Sequence, residues 1–150
     1  GDAEMEIIKE IPNFLDNFLK IIKTNTIEIV KQSERLVTFF PPLRGDHQII
    51  DWNCSAKEIF RQSLSVRPKT GVFSTINNKK VCLWNIKPLR QKTEKKNNGK
   101  IVFLEEGKDL VVSCGDGECV AVKEILYNGK IRSVNFLQNH YRVNLGDTFT

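Results

Sequence analysis

The sequence predicts a mainly β domain with flanking helices, and three observations carry that prediction. From Val72 onward, short apolar runs are cut apart by glycine and asparagine turns. Two pairs, Asn77-Asn78 and Asn128-Gly129, fall between strand-like segments, and Asn-Gly is the strongest short hairpin signal in the chain. Helical periodicity is confined to two stretches upstream of Val72.

The first of these begins near the N-terminus. Ile7, Ile8, Ile11, Phe14, Leu15, Phe18, Leu19 and Ile22 recur at three- and four-residue steps and so share one face of a helix. Pro12 either kinks this helix or sits in the first turn of a second one. Such an apolar stripe needs a partner, either the β module or a preceding domain. Thr26 to Val30 and Leu36 to Phe40 are strand-like, and Pro41-Pro42 then ends regular structure. The stretch from Pro41 to Gln48 has few apolar residues and is expected to cross the surface. These features divide the chain into a helical segment and linker over residues 1–40 and a barrel domain over 41–150.

The second helix follows Ile49-Ile50-Asp51-Trp52-Asn53. Ser55 with Glu58 three residues later is a capping-box pair, each side chain satisfying the other's free backbone N–H. The helix should run to about Leu64 with Ala56, Ile59, Phe60 and Leu64 inward, until Arg67-Pro68-Lys69-Thr70-Gly71 breaks it. Strands then read over Val72 to Ile76, Lys80 to Ile86, Ile101 to Leu104, Leu110 to Cys114 and Cys119 to Tyr127. Gly115-Asp116-Gly117 makes a tight turn before the last of these, and Ser133 to Gln138 reads as a strand or a short helical turn. About five short strands with uneven loops indicate a small OB-like Greek-key barrel.

Composition sets further bounds. At 150 residues, with 40% hydrophobic and 27% charged residues, the chain has the make-up of an ordinary soluble domain. No apolar run approaches the roughly 20 residues that cross a bilayer, so no membrane partner is expected. The N-terminus has acids at Asp2, Glu4 and Glu6 in place of a basic region before an apolar one, which is not the pattern of a secretory signal. Cys54, Cys82, Cys114 and Cys119 lack the spacing of a zinc site, so no metal is expected and the cysteines read as reduced cytoplasmic thiols.

The net charge is +5 and unevenly spread. Residues 1–40 and 101–150 each net −2, residues 41–86 net +4, and Lys87 to Lys100 alone net +5. A concentrated positive field holds a polyanion, and phosphate contacts demand charge more than geometric precision. Lys79, Lys80, Arg90, Lys92, Lys95, Lys96 and Lys100 are therefore the candidate nucleic-acid-binding residues. The alternative for such a loop is a solvated segment without a ligand. The loop has no aromatic residue, which favours backbone contact to a folded RNA over base stacking. Trp52 and Trp84 read as packing residues whose indole N–H finds a backbone partner. Asp51 reads as the cap of the turn into the helix. No catalytic residue is identified: Cys114 has no neighbouring His or helix N-terminus to activate it, and no polar pair suits a general base.

Several landmarks occur in a characteristic order: Ile50-Asp51-Trp52, Ser55-Ala56, Glu58-Ile59, Pro68 and Gly71, Val81-x-x-Trp84, Gly99-Lys100-Ile101, Leu110-Val111-Val112-x-Cys114-Gly115-Asp116-Gly117, Gly129-Lys130, Phe136-Leu137 and Leu145-Gly146-Asp147-x-Phe149. In that order they resemble the C-terminal domain of 10-formyltetrahydrofolate-dependent formyltransferases, a group that includes the methionyl-tRNA and amino-sugar N-formyltransferases. The resemblance covers about two-thirds of the chain, and the first 40 residues look similar to the last helix and linker of the catalytic domain.

That resemblance implies an OB-like barrel accompanying a catalytic domain. Catalysis in the family rests on an Asn, a His and an Asp with a His-x-Ser-x-Leu-Pro segment, and no such segment occurs here. The chain is thus expected to lack catalysis and to bind no cofactor itself, 10-formyltetrahydrofolate serving the full enzyme. Implied partners are initiator methionyl-tRNA and the enzyme's own N-terminal catalytic domain, in the cytoplasm. Two departures matter: the Arg-Ala pair common in the family reads Leu64-Ser65, and the second turn proline reads Thr70. A structural module of an amino-sugar enzyme and a non-enzymatic OB-type interaction domain remain the alternatives.

Overall fold

The computed structural model describes residues 2–24, 30–39, 45–93 and 97–150. The chain divides into two compact units, Gly1–Pro42 and Leu43–Thr150.

In the first unit, α1 spans Asp2–Thr24 as one helix with Pro12 inside it. Pro12 fits the helical φ it is locked into, and the flanking turns continue past it. The Thr24 hydroxyl donates back to the Lys20 and Ile21 carbonyls and closes the last turn. Ile7, Ile11, Phe14 and Phe18 form an exposed apolar stripe, with the Phe14 and Phe18 rings stacked at 6.2 Å. The strand expected over 36–40 is not formed in its described part. Glu34–Leu36 makes a 3-10 turn instead, closed by Leu36 N–H to Ser33 O and Val37 N–H to Glu34 O. There the backbone groups are satisfied by local hydrogen bonds. Of the strand expected at Thr26 to Val30, Thr26 to Ile29 lie outside the described residues, as do Phe40 to Arg44, and Val30 is assigned to no strand.

The second unit is the barrel. Helix α2 spans Ala56–Val66, two residues beyond the expected end. Its start is the expected capping box: Ser55 Oγ accepts from Glu58 N–H, and Glu58 Oε2 accepts from Ser55 N–H at 2.8 Å. Asp51 caps the preceding turn by accepting from the Asn53 backbone and side-chain amides. The buried face of α2 is Ala56, Ile59, Ser63 and Val66, whereas Leu64 is exposed.

Six strands follow: β1 (Val72–Ile76), β2 (Lys79–Leu89), β3 (Ile101–Phe103), β4 (Leu110–Ser113), β5 (Cys119–Tyr127) and β6 (Lys130–Ser133). All pairings are antiparallel, in the order β1-β2-β5-β4-β3 with β6 on β5. Placing β2 beside β5 after the β3-β4-β5 meander makes the Greek key. Asn77 and Asn78 both take positive φ (49° and 59°), as do Asn128 and Gly129 (48° and 70°), which is the two-residue turn that matches strand twist. Strand β2 runs three residues past Ile86 because its register with β5 slips between Leu83 and Ile86, which extends pairing to Leu89 opposite Cys119. Short helix α3 (Asn135–Tyr141) takes up the stretch whose sequence allowed strand or helix.

The C-terminal segment joins the two sheet edges. Ile101 N–H bonds Asp147 O, Gly146 N–H bonds Ile101 O and Phe149 N–H bonds Gly99 O along β3. On the other side Thr75 and Thr150 exchange both N–H···O bonds at 2.8 Å, against β1. Phe149 turns inward, 2% exposed, with its ring 5.5 Å from that of Trp52. Around this pair the core is built from Ile59, Val72, Leu83, Ile86, Ile101, Leu110, Val122, Ile125 and Leu137. The buried Trp52 donates its indole N–H to the Ser74 hydroxyl at 2.9 Å, a side-chain partner and not the expected backbone one.

All four cysteines are free thiols. Burial pushes the Cys114 thiol up to about 12, helped by the neighbouring Asp116 charge. Its strand ends in the tight turn read from the sequence, with Gly117 at φ 79°. Gly115 donates to Cys54 O at 2.9 Å and lies so close to the Asn53 carbonyl that no Cβ fits there.

Candidate nucleic-acid interface

The expected basic residues occupy three places on the barrel. Lys79 and Lys80 follow the Asn77-Asn78 turn and are exposed. Lys79 Nζ lies 5.7 Å from the Tyr141 ring and Lys80 Nζ lies 4.1 Å from the Phe73 ring. The turn is pinned to the C-terminal region through Asn77, whose side-chain amide donates to Tyr141 O, Arg142 O and Asp147 Oδ2 at 3.3–3.4 Å. This brings exposed Arg142, held at φ 54° at the end of α3, beside the hairpin. Nothing in the sequence near Arg142 signals that neighbourhood, because 65 residues separate it from Asn77.

Arg90 and Lys92 lie past the far end of β2, both exposed. Strand β2 has 11 residues, and at about 3.3 Å per residue it separates Lys79 from Arg90 by roughly 35 Å. The segment is held down where it crosses the β4–β5 turn. Thr93 N–H donates to Gly117 O at 2.7 Å, and the Ser113 hydroxyl donates to Asn97 O. A shallow cavity of about 270 Å³ is lined there by Lys92, Thr93, Asp116, Gly117 and Glu118. Its two carboxylates oppose anion binding inside it, so Lys92 meets a phosphate only by reaching outward.

Lys100 is half-buried and bridges Thr148 at the C-terminal seam. The structure therefore does not bring it together with either of the other groups. Lys95 and Lys96 lie outside the described residues. Between the two ends of β2, exposed Lys87 continues the basic character along the strand. It belongs to the charge-rich stretch but is not among the residues selected from sequence; its place opposite Ala121 is visible only from the register.

Chemically this is a surface that can hold a phosphate backbone by charge. No group of three or more His, Cys, Asp or Glu that could hold a metal occurs among the described residues. His47 and His140 sit apart. The His140 ring stacks on Phe136 at 4.8 Å, a packing role. Among the described residues no helix is long and apolar enough to cross a membrane.

Comparison with known proteins supplies the family. Residues 42–141 match the family described as formyl transferase, C-terminal domain. Curated relatives include a methionyl-tRNA formyltransferase from Carboxydothermus hydrogenoformans, 28% identical over 99% of this chain and 48% of its own length. Another is a methionyl-tRNA formyltransferase from Ligilactobacillus salivarius, 36% identical over 77% of this chain and 36% of its own length. The chain thus spans about half or less of these relatives. Among solved structures, HypX from Aquifex aeolicus in complex with tetrahydrofolic acid superposes with a TM-score of 0.66 at 16% identity. That match covers 93% of this chain and 24% of HypX, and it bears out the fold. With the match spanning 100 residues and all six strands, the chain belongs to the formyl transferase C-terminal domain family.

Proposed function

We propose that this chain is the substrate-binding C-terminal module of a methionyl-tRNA formyltransferase-type enzyme, and that it contacts tRNA. The observation that carries the reading is its 28% identity, over nearly its whole length, to a methionyl-tRNA formyltransferase. The basic residues Lys79, Lys80 and Lys87 on β2, with Arg90 and Lys92 just past its end, support it, since all five side chains are exposed. Formyl transfer from 10-formyltetrahydrofolate to the amino group of methionyl-tRNA would fall to the half of the enzyme that this chain does not span. The part of these basic residues is to grip the tRNA electrostatically and align its acceptor end. A cytoplasmic setting follows from that reading.

Binding of this kind releases counterions, so affinity falls linearly with salt on a log–log scale. Replacing Lys79, Lys80, Arg90 and Lys92 by Ala should flatten the slope of log affinity for tRNA by about 0.7–0.9 for each phosphate no longer neutralised. A slope unchanged in the quadruple variant would refute the reading. Formylation assays on the intact enzyme, with methionyl-tRNA and with a nucleotide-linked amino sugar, separate this substrate from the amino-sugar alternative.

A further inference from the structure

Trp84 has a place in the Val81-x-x-Trp84 run but none in the core. Val81, Leu83 and Ile86 point inward and are fully buried, whereas Trp84 occupies the register slip between Leu83 and Asn85 and remains half-buried. Its indole N–H makes no hydrogen bond to a described residue, in contrast to Trp52. The register also defines its neighbours. Phe73 pairs with Cys82, Cys82 with Leu126 and Leu126 with Ile131, an apolar row that crosses four strands on the outer face. Phe73 and Trp84 are diagonal across β1 and β2, so their attachment points lie about 7–8 Å apart.

Each ring carries a cation. Arg67 Cζ sits 5.4 Å from the Trp84 ring centroid, and Lys80 Nζ sits 4.1 Å from that of Phe73. Among the described residues neither cation has an ion-pair partner. The neighbouring acid, Glu124, is engaged by the Asn85 side-chain amide at 3.1 Å. Two rings on one face of the sheet, each with an unpaired cation over it, complement a ligand that has flat faces and negative links. An acidic peptide satisfies the charge but leaves the rings and the indole N–H without matching partners.

We propose that the outer face of β1, β2 and β5 binds unpaired nucleotides, Trp84 and Phe73 serving as stacking platforms and Arg67 and Lys80 moving onto the intervening phosphate. The inference rests on the nucleic-acid reading above and adds to it that part of the bound strand is single. The aromatic residues missing from the basic loop are thereby supplied by the sheet.

The test uses the 150-residue chain and fluorescein-labelled octa-uridylate, followed by anisotropy. A blunt RNA duplex, a folded tRNA and poly-glutamate are run beside it. The single strand should bind and quench Trp84 emission. Trp84→Ala should weaken that binding roughly tenfold, the scale of one base stack, and Trp84→Phe should restore most of it. Circular dichroism melting of each variant distinguishes a missing stack from a missing fold. Duplex binding should be indifferent to Trp84 and sensitive to Lys79, Lys80, Arg90 and Lys92. Unchanged octa-uridylate binding by a folded Trp84→Ala variant, or equal binding of poly-glutamate, overturns the inference while salt-dependent tRNA binding keeps the broader reading. Failure of octa-uridylate, duplex and tRNA alike to bind overturns both.

Discussion

Replacing Phe149 by Ala tests how much of the barrel depends on its C-terminal seam. The ring is 2% exposed and lies tilted against Trp52 at 5.5 Å, Trp52 itself being 5% exposed and hydrogen-bonded to Ser74. Truncating a buried aromatic residue costs about 3–5 kcal/mol through forfeited transfer energy and the cavity left behind. Relaxation can close little of this cavity. The backbone around it is pinned, Phe149 N–H donating to Gly99 O at 2.8 Å and the adjoining Thr75–Thr150 pair being fixed by two bonds of its own. A domain of this size has a net stability of about 5–15 kcal/mol, so the variant should lose a large part of it. Urea unfolding followed by tryptophan fluorescence measures the difference directly, because Trp52 reports on the altered site. Leu145→Ala, on the same segment but 63% exposed, should stay within about 0.5 kcal/mol of the parent. A Phe149→Ala loss below about 1.5 kcal/mol at unchanged m-value would refute the view that the seam is part of the core.

Further expectations follow from individual interactions. Ser55→Ala should cost about 1 kcal/mol by thermal melting, since the α2 N-terminus loses its side-chain acceptor. The Ser55 hydrogen bonds hold the Glu58 carboxyl below its ordinary value. That contribution is present above the ordinary carboxylate pKa and is lost as pH falls through the depressed folded value. The gap between parent and Ser55→Ala should therefore narrow in acid. The Cys114 thiol, neutral in the folded state up to about 12 against an ordinary 9.0, has the opposite sign. Its contribution is complete below pH 9.0 and erodes as pH rises toward 12, and native Cys114 should resist a thiol reagent at about pH 8 that labels half-buried Cys54 first. Gly115→Ala should destabilise by about 1–3 kcal/mol, because the new methyl meets the Asn53 backbone and one of two tightly apposed turns must move.

Elements decided by local chemistry were legible in the sequence. The capping box at Ser55 and Glu58, the two Asn turns and the Cys114 to Gly117 turn each rest on interactions within five residues, and the structure contains all of them. The strand expected at 36–40 is not formed in its described part, because β-propensity is a weak, context-dependent preference that by itself specifies no pairing. The extension of β2 to Leu89 was missed for a related reason: the partner that stabilises it lies 30 residues away, at Cys119. The basic candidates illustrate the same limit. Their charge was evident, but Lys100 lies at the seam, and Lys79 and Arg90 lie at opposite ends of one strand.

The sequence by itself determined the β class, the helix starts, the turns and the family resemblance, because periodicity, caps and positive-φ residues act over a few neighbours. Only the tertiary structure decided that residues 146–150 bond both sheet edges, that Trp52 is core while Trp84 faces outward, and that Arg67 and Lys80 rest on the outer rings. These outcomes depend on strand register. A single-residue slip reverses which face a side chain occupies, and register is fixed jointly by the whole barrel.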